Sequence, residues 1–342
     1  MKLSVKKSAL KDVLKSAAKV ARGNHTIATL SGVFLEAREG CLSVKATDLD
    51  MEFIANIPAE VHEPGEALVD AKTLNGIVNK GPQEIGLSRD GATLTVNAGG
   101  TFKLQCMDTE NYPELAAIGD DLSFAKLTGF SKVVYAAAKG DLTRPALAGV
   151  YIDGPAKAII ATDGYRVAIK QVDIHLDRSI LVPAEAIMFD EVEFAVTEHS
   201  VVFRPEANAY WVSRLIQAQF PRYEQVLPTE FSRIVSFDRL EFVEILERAM
   251  LINDSQVQLS IDREQLQVKA TSETGEMEAG IQADLNGDPL RIWFNPRFLL
   301  DGLKAAEEER LTMKFTLPDK PAVMEEDGWL YIVLPLRPDQ GV

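Results

Sequence analysis

Along residues 7–22 the apolar positions Leu10, Val13, Leu14, Ala17, Val20 and Ala21 recur three and four residues apart. That spacing predicts a helix with a single buried stripe, opened near Ser8 and stopped at Gly23. The period then changes to two: Gly32-Val33-Phe34-Leu35-Glu36 alternates as a half-buried strand does, with a turn near Glu39-Gly40. Ala67-Leu68-Val69-Asp70-Ala71 reads as a strand feeding a short helix that runs to about Lys80. Hairpins follow around Arg89-Asp90-Gly91 and Gly99-Gly100.

This order of elements returns twice. Ala46-Thr47-Asp48, Ala161-Thr162-Asp163 and Ala270-Thr271-Ser272 each end an apolar strand and are separated by 115 and 109 residues. Upstream stand Leu3-Ser4-Val5, Leu122-Ser123-Phe124 and Val235-Ser236-Phe237, each a short strand entering a helical pattern. Downstream, Ile180-Leu181-Val182-Pro183-Ala184 and Ile292-Trp293-Phe294-Asn295-Pro296 match Ala67–Ala71. Repeats of this length are tandem domains rather than solenoid units, with expected boundaries at 1–119, 120–231 and 232–342. Further helices are expected over about Leu127–Lys139, Leu240–Leu251 and Pro296–Ala306. The middle copy is irregular: Val182 to Val192 spans 10 residues, against 16 from Val69 to Ile85 and 17 from Phe294 to Leu311. Its second helix is therefore expected to shrink to a turn, with Ile187, Met188 and Phe189 plugging the gap against the helix of Leu127–Lys139. Tyr112–Asp121 and Phe220–Pro228 read as linkers.

Composition changes the picture mainly through charge. The 342 residues are 46% apolar and 25% charged, ordinary for a globular protein, and the net charge is −15. An acidic chain argues against nucleic acid as a partner, but residues 1–22 carry +6 and leave −21 for the remainder. Lys7, Lys11, Lys15, Lys19 and Arg22 fall in a sector roughly 120° wide beside the apolar stripe of the first helix. The middle copy repeats the theme more weakly with Lys126, Lys132 and Lys139, and the third dilutes it with Glu241, Glu244 and Glu247.

No apolar run is long enough to span a bilayer and the N-terminus lacks a signal-peptide core, which places the chain in the cytoplasm without a membrane partner. Cys41 and Cys106 are too few for a disulfide framework or a cysteine-rich metal site. The four histidines are isolated, there is no phosphate-binding glycine loop and no nucleophile elbow. Asp48 and Asp50 lack further ligands at metal-binding spacing. No catalytic residue, metal or cofactor is expected, and the repeat favours a binding scaffold over an enzyme.

Thr47-Asp48-Leu49-Asp50-Met51-Glu52, Ala161-Thr162-Asp163-Gly164-Tyr165-Arg166, Phe220-Pro221 with Tyr223 and Val226-Leu227-Pro228, and the ending Tyr331-Ile332-Val333-Leu334-Pro335-Leu336-Arg337 together resemble the bacterial sliding clamp family, the beta subunit of DNA polymerase III. The resemblance covers essentially the whole length. It implies an α+β fold of three tandem clamp domains, each two helices packed on antiparallel sheets. Two chains then close head to tail into a homodimeric ring around duplex DNA. Such a ring tethers the replicative DNA polymerase, is opened by a clamp loader, and serves other clamp-motif proteins without catalysis of its own. An accessory clamp-fold protein that binds partner motifs without encircling DNA is the alternative.

By the same resemblance, Lys11, Lys15, Lys19, Arg22, Lys132 and Lys139 face DNA without sequence preference. Phe102 and Leu104 meet Leu251 and Ile252 of the other chain. Partner motifs enter a pocket made by Leu147, Thr162, Gly164, Tyr165, Arg166, Val167, Pro221, Val226, Ile332, Leu334, Pro335, Leu336 and Arg337. The sequence departs from the family pattern at Tyr165, where histidine is usual, at Gln225, where arginine is common, and at Leu334 and Leu336, where methionine is usual. Pro145-Ala146 replaces an aromatic pair, and Pro338–Val342 extends beyond the usual end.

Overall fold

The computed structural model describes residues 1–21, 27–115, 118–119, 122–140 and 143–337. Arg22 of the expected basic helix and its stop Gly23, positions 116–117 and 120–121 of the first linker, and the 338–342 tail lie outside the described residues. The fold is α+β. Two compact units form, one from Met1–Lys126 with Val192–Leu215, the other from Leu127–Glu191 with Ile216–Val342.

The middle third of the chain is thus shared between units. In the first, its strand Ala209–Arg214 pairs antiparallel with Met51–Pro58, Trp211 facing Phe53, within an eight-stranded sheet beside a separate five-stranded one. In the second, its strand Arg166–Gln171 pairs antiparallel with Trp329–Val333, Val167 facing Ile332, within a sheet of twelve strands. These strands are buried on both faces over much of their length, Arg166 to Ile169 in one and Phe53 to Ala55 in another.

The α-helices among the described residues are α1 (Lys7–Val20), α2 (Ala71–Lys80), α3 (Arg239–Ala249) and α4 (Pro296–Ala305). In α1, Leu10, Leu14, Ala17 and Val20 are buried against α2 and the strands Cys41–Thr47 and Met51–Pro58. Side-chain caps start the other three. Asp70 accepts from the Thr73 amide (2.8 Å), Asp238 from that of Glu241 (2.9 Å) and Asn295 from that of Arg297 (2.9 Å). Each satisfies an amide that the helix itself leaves unpaired, and Pro296 adds a preset first helical position.

The middle copy departs from the expected helices. In place of a helix over Leu127–Lys139 there is a strand, Ala125–Thr128, followed by two 3-10 turns, Phe130–Lys132 and Val134–Ala136. The strand also lies three residues beyond the expected Leu122–Phe124. Phe130, Val133 and Ala136 are buried and stand three residues apart, a spacing that suits three residues per turn as well as it suits an α-helix. What is missing is the cap. Gly129 holds that position at φ 93° with no side chain to accept, and the β-branched Val133-Val134 pair lowers helix propensity. Asp190 supplies the acceptors from a distance, its carboxylate taking the Ser131 amide (2.7 Å) and its carbonyl the Gly129 amide (3.0 Å).

The second helix of this copy is the single 3-10 turn Ala184–Ala186, as its length requires. Pro183 stands where Asp70 and Asn295 cap the other copies and offers no side-chain acceptor. Ile187, Met188 and Phe189 are half-buried. The helix that Phe189 was expected to plug is absent, so its truncation costs less than that of a fully buried aromatic.

Gly302 shows how tightly the last copy is packed. Tyr331 is fully buried and its hydroxyl donates to the Phe298 carbonyl of α4 (2.8 Å). A Cβ at Gly302 would lie 2.5 Å from the tyrosine ring carbons Cδ1 and Cε1. Helix propensity favours alanine there by about 1 kcal/mol, but overpacking a buried ring outweighs it. Gly302→Ala is expected to destabilise by about 1–3 kcal/mol net; a denaturation midpoint equal to or above the parent's would show that the ring gives way freely.

Candidate functional site

The turn from Thr162 to Arg166 is built by its own side chains. The Thr162 hydroxyl donates to the Arg166 carbonyl (2.6 Å) and accepts from the Gly164 amide (3.0 Å). The Asp163 carboxylate accepts from the amides of Tyr165 (2.9 Å) and Arg166 (3.1 Å). Gly164 takes the left-handed conformation at φ 92°. The first copy makes the same turn with Thr47 and Asp48, but there Leu49 bears the left-handed φ of 83°. This turn accounts for Asp48, whose carboxylate is occupied by the Asp50 and Met51 amides.

Arg166 anchors the turn from below. Its Nε donates to Asp163 (2.9 Å), Nη1 to Asp301 (2.6 Å) and Nη2 to the Tyr135 carbonyl (2.7 Å). The guanidinium lies 4.5 Å from the Phe298 ring centroid. Burial works against its charge, yet Tyr331, Asp301 and Asp163 outweigh that desolvation and raise its pKa above the ordinary arginine value. Arg166 therefore supports the site rather than reaching out of it.

Around this turn an apolar cavity of about 460 Å³ opens, with Thr162, Gly164, Tyr165, Arg166 and Val167 on one side. Leu147 comes from the 3-10 turn Pro145–Ala148, and Ile332 and Leu334 from the end of the neighbouring strand, where the Leu334 amide donates to the Tyr165 carbonyl (2.9 Å). Pro221 and Val226 come from the linker. Phe220 holds that linker by stacking on Tyr151, centroids 4.7 Å apart and planes 4° from parallel. Tyr165 is 58% exposed at the rim.

Pro335, Leu336 and Arg337 do not line this cavity; Leu336 turns away and its amide donates to the Trp293 carbonyl (2.8 Å). Arg144, Pro145, Ala146, Ala218, Gln219, Arg222 and Tyr223 line it in addition. Arg222 and Tyr223 stand inside the linker motif that begins Phe220-Pro221, so the signal for them was adjacency to Pro221.

The other candidate residues lie elsewhere. Lys11, Lys15 and Lys19 are exposed on α1, beside its buried stripe, while Lys7 donates to the Gly81 carbonyl (2.8 Å). Lys139 is exposed. Lys132 is drawn inward, its ammonium 2.6 Å from the Ala305 carbonyl and 2.7 Å from the Glu307 carboxylate. Leu251, just past α3, is 83% exposed, with Ile252 half-buried beside it. Phe102 is 41% exposed and shares one face of the edge strand Thr101–Gln105 with Leu104.

Two family models match the chain: the DNA polymerase III beta subunit N-terminal domain over residues 1–116 and its C-terminal domain over residues 224–337. The chain is 28% identical to the beta sliding clamp of Streptomyces coelicolor, over 98% of this chain and 99% of that protein. It is similar to the crystal structure of the DNA polymerase III beta subunit from Pseudomonas aeruginosa, with a TM-score of 0.87 at 25% identity, covering 99% of this chain and 100% of that one. The DNA polymerase sliding clamp from Bacillus subtilis shares the fold with a TM-score of 0.90 at 24% identity, over 99% of each chain.

Replacing the buried guanidinium strands its two carboxylates. Arg166→Met is expected to cost about 2–4 kcal/mol in chemical denaturation, somewhat below a fully buried pair because Asp301 is partly exposed. A loss under about 0.5 kcal/mol would place Arg166 among ordinary surface ion pairs.

Proposed function

The chain belongs to the bacterial DNA polymerase III beta subunit family, the beta sliding clamps, and from this we propose that it acts as a homodimeric, non-catalytic ring loaded around duplex DNA. Topological linkage lets such a ring hold a polymerase at its template without a tight contact. The observation that carries the reading is the exposed Lys11-Lys15-Lys19 face of α1 on a protein of net charge −15. It attracts phosphates at one place while the body repels them elsewhere. Arg22 and Lys139 are further phosphate contacts in this reading. Lys132, engaged with Ala305 and Glu307, contributes less.

The three-domain division at 1–119, 120–231 and 232–342 belongs to the same proposal, as does the contact of Phe102 and Leu104 with Leu251 and Ile252 of a second copy. The apolar cavity around Gly164 takes the anchoring side chains of partner segments from the polymerase, the loader and other clamp-binding proteins. Pro335, Leu336 and Arg337 contribute at most by supporting its rim. No helix among the described residues is long and apolar enough to cross a membrane, and a cytoplasmic location accords with work on DNA.

The direct test is retention on DNA after loader-dependent assembly: the protein should stay on a closed circle and slide off once the circle is cut. Equal retention on both forms favours partner binding without encirclement. Leu251→Lys with Ile252→Lys is expected to give a folded monomer, because two charges would be desolvated in an apolar contact; sedimentation of that variant as an intact dimer removes the interface assignment. Reversal of Lys11, Lys15 and Lys19 to glutamate should weaken salt-sensitive DNA contact about equally for all sequences and leave dimerisation intact. Unchanged DNA contact would leave these lysines as a solvated surface.

A further inference from the structure

The apolar cavity has a neighbour. Across Tyr223 lies a second, more open groove of about 620 Å³ whose walls include Ile169, Leu227 and Leu330. Tyr223 lines both cavities and is held in place by its hydroxyl, which donates to the Asp153 carboxylate (3.2 Å). One short 3-10 turn, Tyr223–Val226, with the residues flanking it, supplies both walls. Arg222 and Val226 line the apolar cavity, whereas Glu224 and Leu227 line the second groove.

The two cavities carry opposite charge. Among the described residues lining the first, Arg144 and Arg222 are exposed cations and no carboxylate is present. Among those lining the second there are five carboxylates, Glu224, Glu308, Glu325, Glu326 and Asp327, and no cation. Part of that negative charge is met from outside the groove. Lys314 pairs with Glu325. Glu326 accepts from the Glu307 (2.7 Å) and Glu308 (2.8 Å) amides and lies 3.9 Å from Lys132. Lys170 donates to the backbone carbonyl of Asp327 (3.0 Å). The Glu224, Glu308 and Asp327 side chains are exposed at the groove.

We infer that the two cavities form one bipartite docking surface, which rests on the pocket reading above. Its occupant is a partner segment whose apolar anchors fill the first cavity, with a basic stretch continuing over Tyr223 into the second and an acidic residue beside Arg144 and Arg222 at the first. Charge then sets the direction in which the segment lies, and a segment with reversed charges meets like charge at both ends. Exposed pairs contribute little one by one, so two or three of them together are expected to change affinity about threefold to tenfold, with the change fading at high salt.

Fluorescence anisotropy on the full-length protein tests this with three labelled peptides that share a Leu-Leu-Phe anchor. One has a glutamate flank before the anchor and a lysine flank after it, the second has the flanks exchanged, and the third has neutral flanks. One charged order should bind about threefold to tenfold tighter than the neutral peptide and the other no tighter. Glu224→Lys with Asp327→Lys should abolish the gain from the lysine flank, and Arg222→Glu the gain from the glutamate flank. Equal binding of both charged orders, or a gain that survives Glu224→Lys with Asp327→Lys, overturns the bipartite surface alone. Failure of the neutral peptide to bind overturns the pocket reading and this inference with it.

Discussion

The antiparallel pairing of Arg166–Gln171 with Trp329–Val333 is the interaction on which the functional surface depends. It sets Val167 opposite Ile332 and delivers Leu334 to the Tyr165 carbonyl, so residues far apart in sequence come to share one cavity. A sheet ladder alone would leave the entering turn free to move. Arg166, at the first position of that strand, removes the freedom by joining Asp163, Asp301 and the Tyr135 carbonyl. The same guanidinium lies against Phe298, whose carbonyl receives the Tyr331 hydroxyl. Pocket shape and the packing of α4 are therefore coupled through buried groups with little room to rearrange.

A second constraint is the poverty of helix in the middle copy. A sheet face left uncovered must find other apolar partners or remain wet. Here the 3-10 turns bury Phe130, Val133 and Ala136, and Trp329 donates to the Lys132 carbonyl (2.9 Å). Lys132 in turn donates to the Ala305 carbonyl at the end of α4, where a cation also suits the helix dipole. The lysine that the family resemblance offered as a phosphate contact is thus engaged with Ala305 and Glu307.

How much could be read in advance depends on how local the determining forces are. The recurrence of Ala-Thr-Asp was legible, but the turn it carries at Thr162–Arg166 was not foreseen, although Thr162 and Asp163 fix it by their own hydrogen bonds and Thr47 and Asp48 repeat the device. The four α-helices were legible because stripe and boundary signals agree, and in three of them Asp70, Asp238 and Asn295 cap the start. Phe130, Val133 and Ala136 misled because three-residue spacing fits two helix types, and the deciding acceptor, Asp190, lies 59 residues from the Ser131 amide it serves. At the cavity, Pro335 to Arg337 were carried over by position from the family resemblance. The Leu336 bridge to Trp293 that turns them away is a tertiary contact.

Charge follows the same division between local and distributed causes. The basic face of α1 is visible as a sequence period, since Lys11, Lys15 and Lys19 recur every four residues on one element. The opposed rims beside Tyr223 are not, because Arg144, Arg222, Glu308 and Asp327 come from separate segments and acquire meaning only when strand pairing gathers them. Arg222 and Glu224, two residues apart, would read as a neutral pair in any composition window. The turn that sends them to different cavities converts that neutrality into a dipole across the surface. Net charge describes the medium through which partners approach, and the placement of single charges by the fold decides where they stop.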